Sequence, residues 1–122
     1  MKEFSMAKIP IGTIVATRDL EFIHQDGSIE DVTIEIGAPI PDPGPDAKGD
    51  WCCPWRVRGD VQASSMAFFG VDSLQALTLT LQFLPVELDQ WRRRESGTFM
   101  WHGQKDLGLV ARSSSDAAEK AG

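Results

Sequence analysis

No apolar run in the 122-residue sequence approaches the ~18 residues of a membrane-spanning helix, so no such segment is expected. The opening residues, Met1-Lys2-Glu3-Phe4-Ser5-Met6-Ala7-Lys8, hold no apolar h-region. No export signal is therefore expected, and a reducing cytosol is the simplest setting. Cysteine is scarce: Cys52 and Cys53 are the whole supply, and their adjacency argues against a disulfide between them. Histidine is as scarce, with His24 and His102 alone. Together the four have the count of a Cys2His2 zinc site. Adjacent strand residues point to opposite faces, however, and zinc cysteines usually come as C-x2-C. Neither a metal nor any other cofactor is expected. Also missing are a glycine-rich phosphate loop, a PxxP motif and any internal repeat.

Positive charge is nearly absent from one long stretch. Between Asp19 and Asp50 there are nine acids (Asp19, Glu21, Asp26, Glu30, Asp31, Glu35, Asp42, Asp46, Asp50) against one base, Lys48. Residues 51–122 carry eight of each sign, so this stretch accounts for the net charge of −6. The bland reading is a solvated strand face that aids solubility. The sharper one is a surface that steers a basic protein partner into contact. The sign of the charge argues against nucleic acid as the main ligand.

The patterning that is present describes an α+β domain. Residues 1–10 read as a flexible arm, 11–111 as one domain and 112–122 as a mobile Ser/Ala/charged tail. Ile11 to His24 is strand material, Asp26-Gly27 is a type I′ hairpin signal, and Asp31 to Ile36 alternates apolar with polar. Gly37 to Asp50, with Pro39, Pro41, Pro43 and Pro45, reads as a semi-rigid loop outside any ladder. Trp51 to Arg58 returns to strand, with Trp51, Cys53, Trp55 and Val57 on one face. Val61 to Phe69 pairs back after a Gly59-Asp60 turn. Asp72 with Gln75 forms a capping box, in which Gln75 reaches back to the Asp72 N–H. Val71, Leu74, Leu77, Leu81, Leu84 and Leu88 then mark one helix face. Pro85 is expected to kink or break that helix after Leu84, and Gly97 to end it. Thr98 to His102 is a final edge strand. The expected architecture is an antiparallel sheet of about five strands under one long kinked helix, in the order β-β-β-β-α-β.

Individual chemical signals are weak. Cys53 beside Trp51 and Trp55 reads as a small core hydrophobe, and His24 and His102 as exposed, satisfied histidines. Arg58-Gly59-Asp60 is a turn, and Arg92, Arg93 and Arg94 complement a helix C-terminus. Three segments, Gly49-Asp50-Trp51-Cys52-Cys53-Pro54, Gly70-Val71-Asp72-Ser73-Leu74-Gln75-Ala76-Leu77 and Asp106-Leu107-Gly108-Leu109, together resemble a family of small uncharacterised bacterial proteins. The resemblance covers about residues 14–110. It implies a bacterial cytosolic α+β domain and supplies no functional residues.

The leading expectation is a non-enzymatic, protein-binding domain, in concrete form a toxin-neutralising (immunity-type) protein whose partner has a basic surface. Its candidate contact residues are Asp19, Glu21, Asp31 and Glu35, outward in strands whose other face is apolar. The rivals are a small enzyme or ligand-binding domain using Cys52, His24 or His102, and a homo-oligomer subunit without a ligand. A cleft of converging polar groups favours the enzyme, and a broad acidic face favours the partner.

Overall fold

Alternation and turn chemistry build the first hairpin. In the computed structural model, which describes residues 9–109, β1 (Ile14–His24) and β2 (Ile29–Gly37) pair antiparallel. Gly27 adopts φ +91° at the turn, a conformation that costs glycine nothing. Asp26 Oδ1 accepts hydrogen bonds from the Ser28 N–H and hydroxyl at 2.9 and 2.7 Å, which hold its carboxyl below the usual range. Leu20 lies opposite Val32, and both are buried, so the even-numbered residues of both strands face inward.

The proline-rich stretch is not wholly loop. β3 (Ile40–Pro41) pairs with Cys52 and Trp51 of β4 (Trp51–Arg58), which corrects the expectation that 37–50 stays outside the ladder. Proline is tolerated there because β3 borders only β4, so the donor missing at Pro41 is not needed on a second side. β5 (Ala63–Gly70) flanks β4, and β6 (Gly97–Met100) pairs with β1. Across the sheet the order is β5, β4, β2, β1, β6, with β3 sharing the β2 side of β4 and every pairing antiparallel. The fold is α+β, with six strands among the described residues where about five are read from the sequence.

One helix, α1 (Ser73–Glu95), carries the chain from β5 at one edge to β6 at the other. Asp72 caps it, accepting from the Gln75 N–H at 2.8 Å. The Gln75 side chain in turn accepts from Val71 at 2.7 Å, not from Asp72 as expected. The buried face is Ala76, Thr80, Leu84, Glu87, Leu88 and Trp91. Leu84 and Leu88 are as expected and Leu77 and Leu81 are half-buried, but Val71 and Leu74 are about 70 and 69 % exposed. The stripe is rotated because small side chains, Ala76 and Thr80, let the helix approach the sheet. Thr80 survives burial by donating its hydroxyl to the Ala76 carbonyl at 3.0 Å.

The helix does not break at Pro85 but continues to Glu95. Ser96, in the left-handed region, forms the C-cap through an N–H bond to the Arg92 carbonyl. Gly97, expected as the terminator, instead opens β6. A Cβ there would sit 2.5 Å from the Ile23 carbonyl and from the Phe22 ring.

Between sheet and helix lie Phe22, Val32, Ile34, Trp55 and Val57 from the strands, with Leu84, Leu88 and Trp91 from α1 and Phe99 from β6. Each such side chain stabilises the fold by about 1.5–3 kcal/mol through burial. Of the arm expected over 1–10 and the tail over 112–122, only Ile9 and Pro10 fall among the described residues. Among those residues no helix is long and apolar enough to cross a membrane.

Candidate partner-binding face

Because α1 covers one face of the sheet, the odd-numbered residues of β1 and β2 point the other way. The pairing register then determines which charges meet. Glu21 lies directly opposite Asp31, and Asp19 lies opposite Thr33 one step along the same face. All three acids are exposed. Asp19 accepts a hydrogen bond from the Thr33 hydroxyl at 3.0 Å. No ion pair joins Glu21 or Asp31 to a cation among the described residues, while Asp19 attracts Arg58 across Thr33. Like charges directly opposed across two strands are destabilising.

The three carboxylates share a shallow concavity of about 370 Å³ with Met100, His102 and Gly103. β6 supplies its far wall, since Met100 pairs with Glu21. His102 is exposed, adopts φ +51° and stands with its ring centroid 4.8 Å from that of Trp101. Arg18, the nearest cation in sequence, is engaged elsewhere. It donates to the Leu107 carbonyl and lies 3.9 Å over the Trp101 ring.

Glu35 belongs to a different arrangement. It is only 7 % exposed, and Arg56 and Arg58 from β4 both donate to it, Arg58 Nη2 at 3.1 Å. The bonds from Arg58 and then Arg56 hold the Glu35 carboxyl below the usual carboxylate range and raise the Arg58 guanidinium. Glu35 thus ties β2 to β4. Other acids of the block are also used internally: Glu30 contacts His24 at 2.8 Å and accepts from the Asp60 N–H at 2.8 Å, and Asp42 accepts from Gly44 at 2.9 Å. The turn Arg58-Gly59-Asp60 is in this way anchored to the first hairpin.

The residues of the enzyme reading do not converge. Cys52 and Cys53 are fully buried on β4, Cys52 beside Ile40 and Phe69. Cys53 Sγ lies 3.5 Å from the Gly37 carbonyl, and burial pushes its thiol up. His24 and His102 lie along the β1–β6 edge, two strands away. No group of three or more His, Cys, Asp or Glu side chains among the described residues is placed to hold a metal.

Sequence reasoning missed Met100, His102 and Gly103 as parts of the acidic concavity, and Arg56 and Arg58 as partners of Glu35. Alternation in Trp51 to Arg58 puts both arginines outward. Their proximity to Glu35 depends on β4 lying beside β2, a non-local pairing that leaves no local signal.

A family model described as a domain of unknown function (DUF6968) matches residues 16–111. No curated protein and no solved structure matches the chain.

Proposed function

The chain belongs to the DUF6968 family of domains of unknown function, and from that premise we propose that it is a protein-binding domain whose open acidic face docks a basic partner. The observation that carries this reading is the direct opposition of Glu21 and Asp31, with Asp19 beside them and no described cation in an ion pair with Glu21 or Asp31. A surface that serves only solubility has no use for two carboxylates in one cross-strand pair. A lysine or arginine side chain entering the concavity relieves the repulsion and gains charge-assisted hydrogen bonds. The exposed charge also accelerates encounter with a basic surface. The immunity-type form of this reading adds a bacterial source, a cytosolic setting and a toxin domain as the partner. Glu35 drops out of the contact set because Arg56 and Arg58 already satisfy it.

The test is capture from a lysate of the source cells at low ionic strength, comparing the wild type with the triple variant Asp19→Asn/Glu21→Gln/Asp31→Asn. A protein retained by the wild type and lost by the variant is then measured for association rate against salt. The expected result is slower association and a flatter salt dependence in the variant. Equal retention, or equal rates at low salt, sinks the reading.

A further inference from the structure

Protein interiors hold few voids larger than a water molecule, yet two apolar cavities flank the segment that follows β6. One, of about 410 Å³, lies between α1, β6 and that segment, and its apolar wall is Pro85, Leu88, Phe99, Leu107 and Leu109. The other, of about 210 Å³, is walled by Ile34, Ile36, Leu81, Leu84 and again Leu109. The larger has the size of a small-molecule site, ~300–1,000 Å³. Pro85 stands in its wall, and Pro85 belongs neither to the buried helix face nor to a helix end. A proline inside a helix lacks the N–H that the carbonyl four residues back would accept, so it weakens the helix. What it supplies here is a flat, half-buried ring on the cavity side.

The polar groups of the larger cavity are Asp89, Arg92, Thr98, Lys105 and Asp106. Asp89 is shared by two arginines, Arg92 at 2.9 Å and Arg93 at 3.0 Å, and both also complement the helix C-terminus. Asp106 accepts the Gly108 N–H at 3.0 Å and so serves the turn. Lys105 has neither role. It is exposed, lies outside the helix and has no ion partner among the described residues. With Arg93 included, the cations at this mouth outnumber the acids by one, on a chain whose net charge is −6.

We propose that the larger cavity binds an amphipathic monocarboxylate, its aliphatic body against Pro85, Leu88, Phe99 and Leu107 and its carboxylate at Lys105 and Arg92. The Thr98 hydroxyl is a further donor in the same wall. One surplus positive charge matches one carboxylate. Charge-assisted bonds to it are stronger than those a neutral head group makes. A ligand charged along its length is disfavoured, because its anionic groups would lose water against the apolar wall without gaining partners. A cationic amphiphile is repelled by Lys105. Leu109 borders both cavities, so a turn of its side chain extends the site inward, and affinity should rise with chain length.

The experiment is calorimetric titration of the full chain with octanoate, decanoate, acetate and octylammonium up to ~2 mM, a range that reaches a Kd near 1 mM. Backbone amide NMR spectra locate the site. Octanoate is expected to bind, decanoate more tightly, and acetate and octylammonium not at all, with shifts gathered at Leu88, Phe99 and Lys105. Pro85→Trp restores the missing helix N–H and fills the cavity with a larger ring, so it should fold with an unchanged circular dichroism spectrum and lose octanoate binding. Lys105→Glu, at an exposed position, should weaken octanoate about tenfold, the loss expected for one charge-assisted hydrogen bond. Absence of octanoate binding overturns the proposal, and a cavity taken up by the chain's own residues after Leu109 would register in that way. Equal binding of octylammonium, or wild-type affinity in Pro85→Trp, overturns it as well. The acidic concavity is on the opposite face of the sheet, so these measurements leave the partner-binding reading to its own test.

Discussion

Neutralising one member of the Glu21–Asp31 pair should stabilise the protein, although it removes a charge from an already soluble chain. The two residues are in register across β1 and β2, which places their Cβ atoms about 5 Å apart and lets the carboxylates splay to ~6 Å. Two unit charges at ~6 Å in water-like surroundings repel by ~0.7 kcal/mol, within the range measured for cross-strand pairs. Neither has a described ion partner to offset this. For a domain of this size ~1 kcal/mol moves Tm by about 3–6 °C, so Glu21→Gln should raise it by ~2–4 °C at low ionic strength.

The assay is thermal unfolding of wild type, Glu21→Gln, Asp31→Asn and the double variant, at ~10 mM and ~1 M salt. A double-mutant cycle isolates the pair from changes in strand preference. Screening shortens from ~30 Å to ~3 Å between the two conditions, so the gain should fade in high salt. The second neutralisation should also add less than the first. A gain that persists at 1 M, or single effects that sum without coupling, would refute the claim that the charges repel. The surface would then be ordinary, and the partner-binding proposal would lose its physical basis.

The helix face can be checked by contrast. Leu84→Ala, 2 % exposed against the sheet, should cost ~2–5 kcal/mol, whereas Leu74→Ala, 69 % exposed, should stay within ~0.5 kcal/mol at micromolar concentration; equal midpoints in urea would mean the stripe is misplaced. Acid should weaken the β2–β4 tie. The Glu35 carboxyl is held below its unfolded value by Arg58 and Arg56, so its contribution is present above about pH 4.3 and is lost as pH falls through the lower, folded value. Glu35→Gln should therefore flatten the stability–pH curve in that acid window, and an unchanged curve would count against the tie. Both thiols should resist a thiol reagent until unfolding, since Cys52 and Cys53 are fully buried and Cys53 is pushed up by burial; rapid labelling of either in the native protein would contradict the packing.

Much of the fold was legible because its cues are local. Asp26-Gly27 marks the first hairpin, alternation sorts the faces of β1, β2 and β4, and Asp72 with Gln75 marks the start of α1. What escaped depended on distant neighbours. Ile40 and Pro41 join the sheet only because Cys52 and Trp51 present a free side to them. Thr80 reads as a surface residue until its hydroxyl is seen to close on the Ala76 carbonyl, and omitting it shifted the helix stripe towards Leu74. The acidic site follows the same division. That Asp19, Glu21 and Asp31 point outward is a consequence of period two. That Glu35 is spoken for depends on Arg56 and Arg58 arriving from β4.

The single glycine at the end of β2 decides how much of the outward face stays open. A Cβ on Gly37 would collide with the Ile11 carbonyl and come within 3.0 Å of the Pro54 carbonyl, so only glycine lets the chain pass so close here. Ile9, Pro10 and Ile11 line a cavity of about 180 Å³ with Pro54, Arg56 and Ser65, and so lie over the β4–β5 half of that face. In this half the outward Cys52, Pro54 and Ala67 are buried, and the outward Arg56 and Arg58 are turned to Glu35. In the β1–β2 half the outward Asp19, Glu21 and Asp31 are exposed, as is Ile29, while Glu35 is buried under Arg56 and Arg58. A sheet with a helix on one side could have left its whole second face uniformly polar. Here part of that face is covered by the chain itself while Asp19, Glu21 and Asp31 stay charged and accessible, the division that the proposed docking face needs.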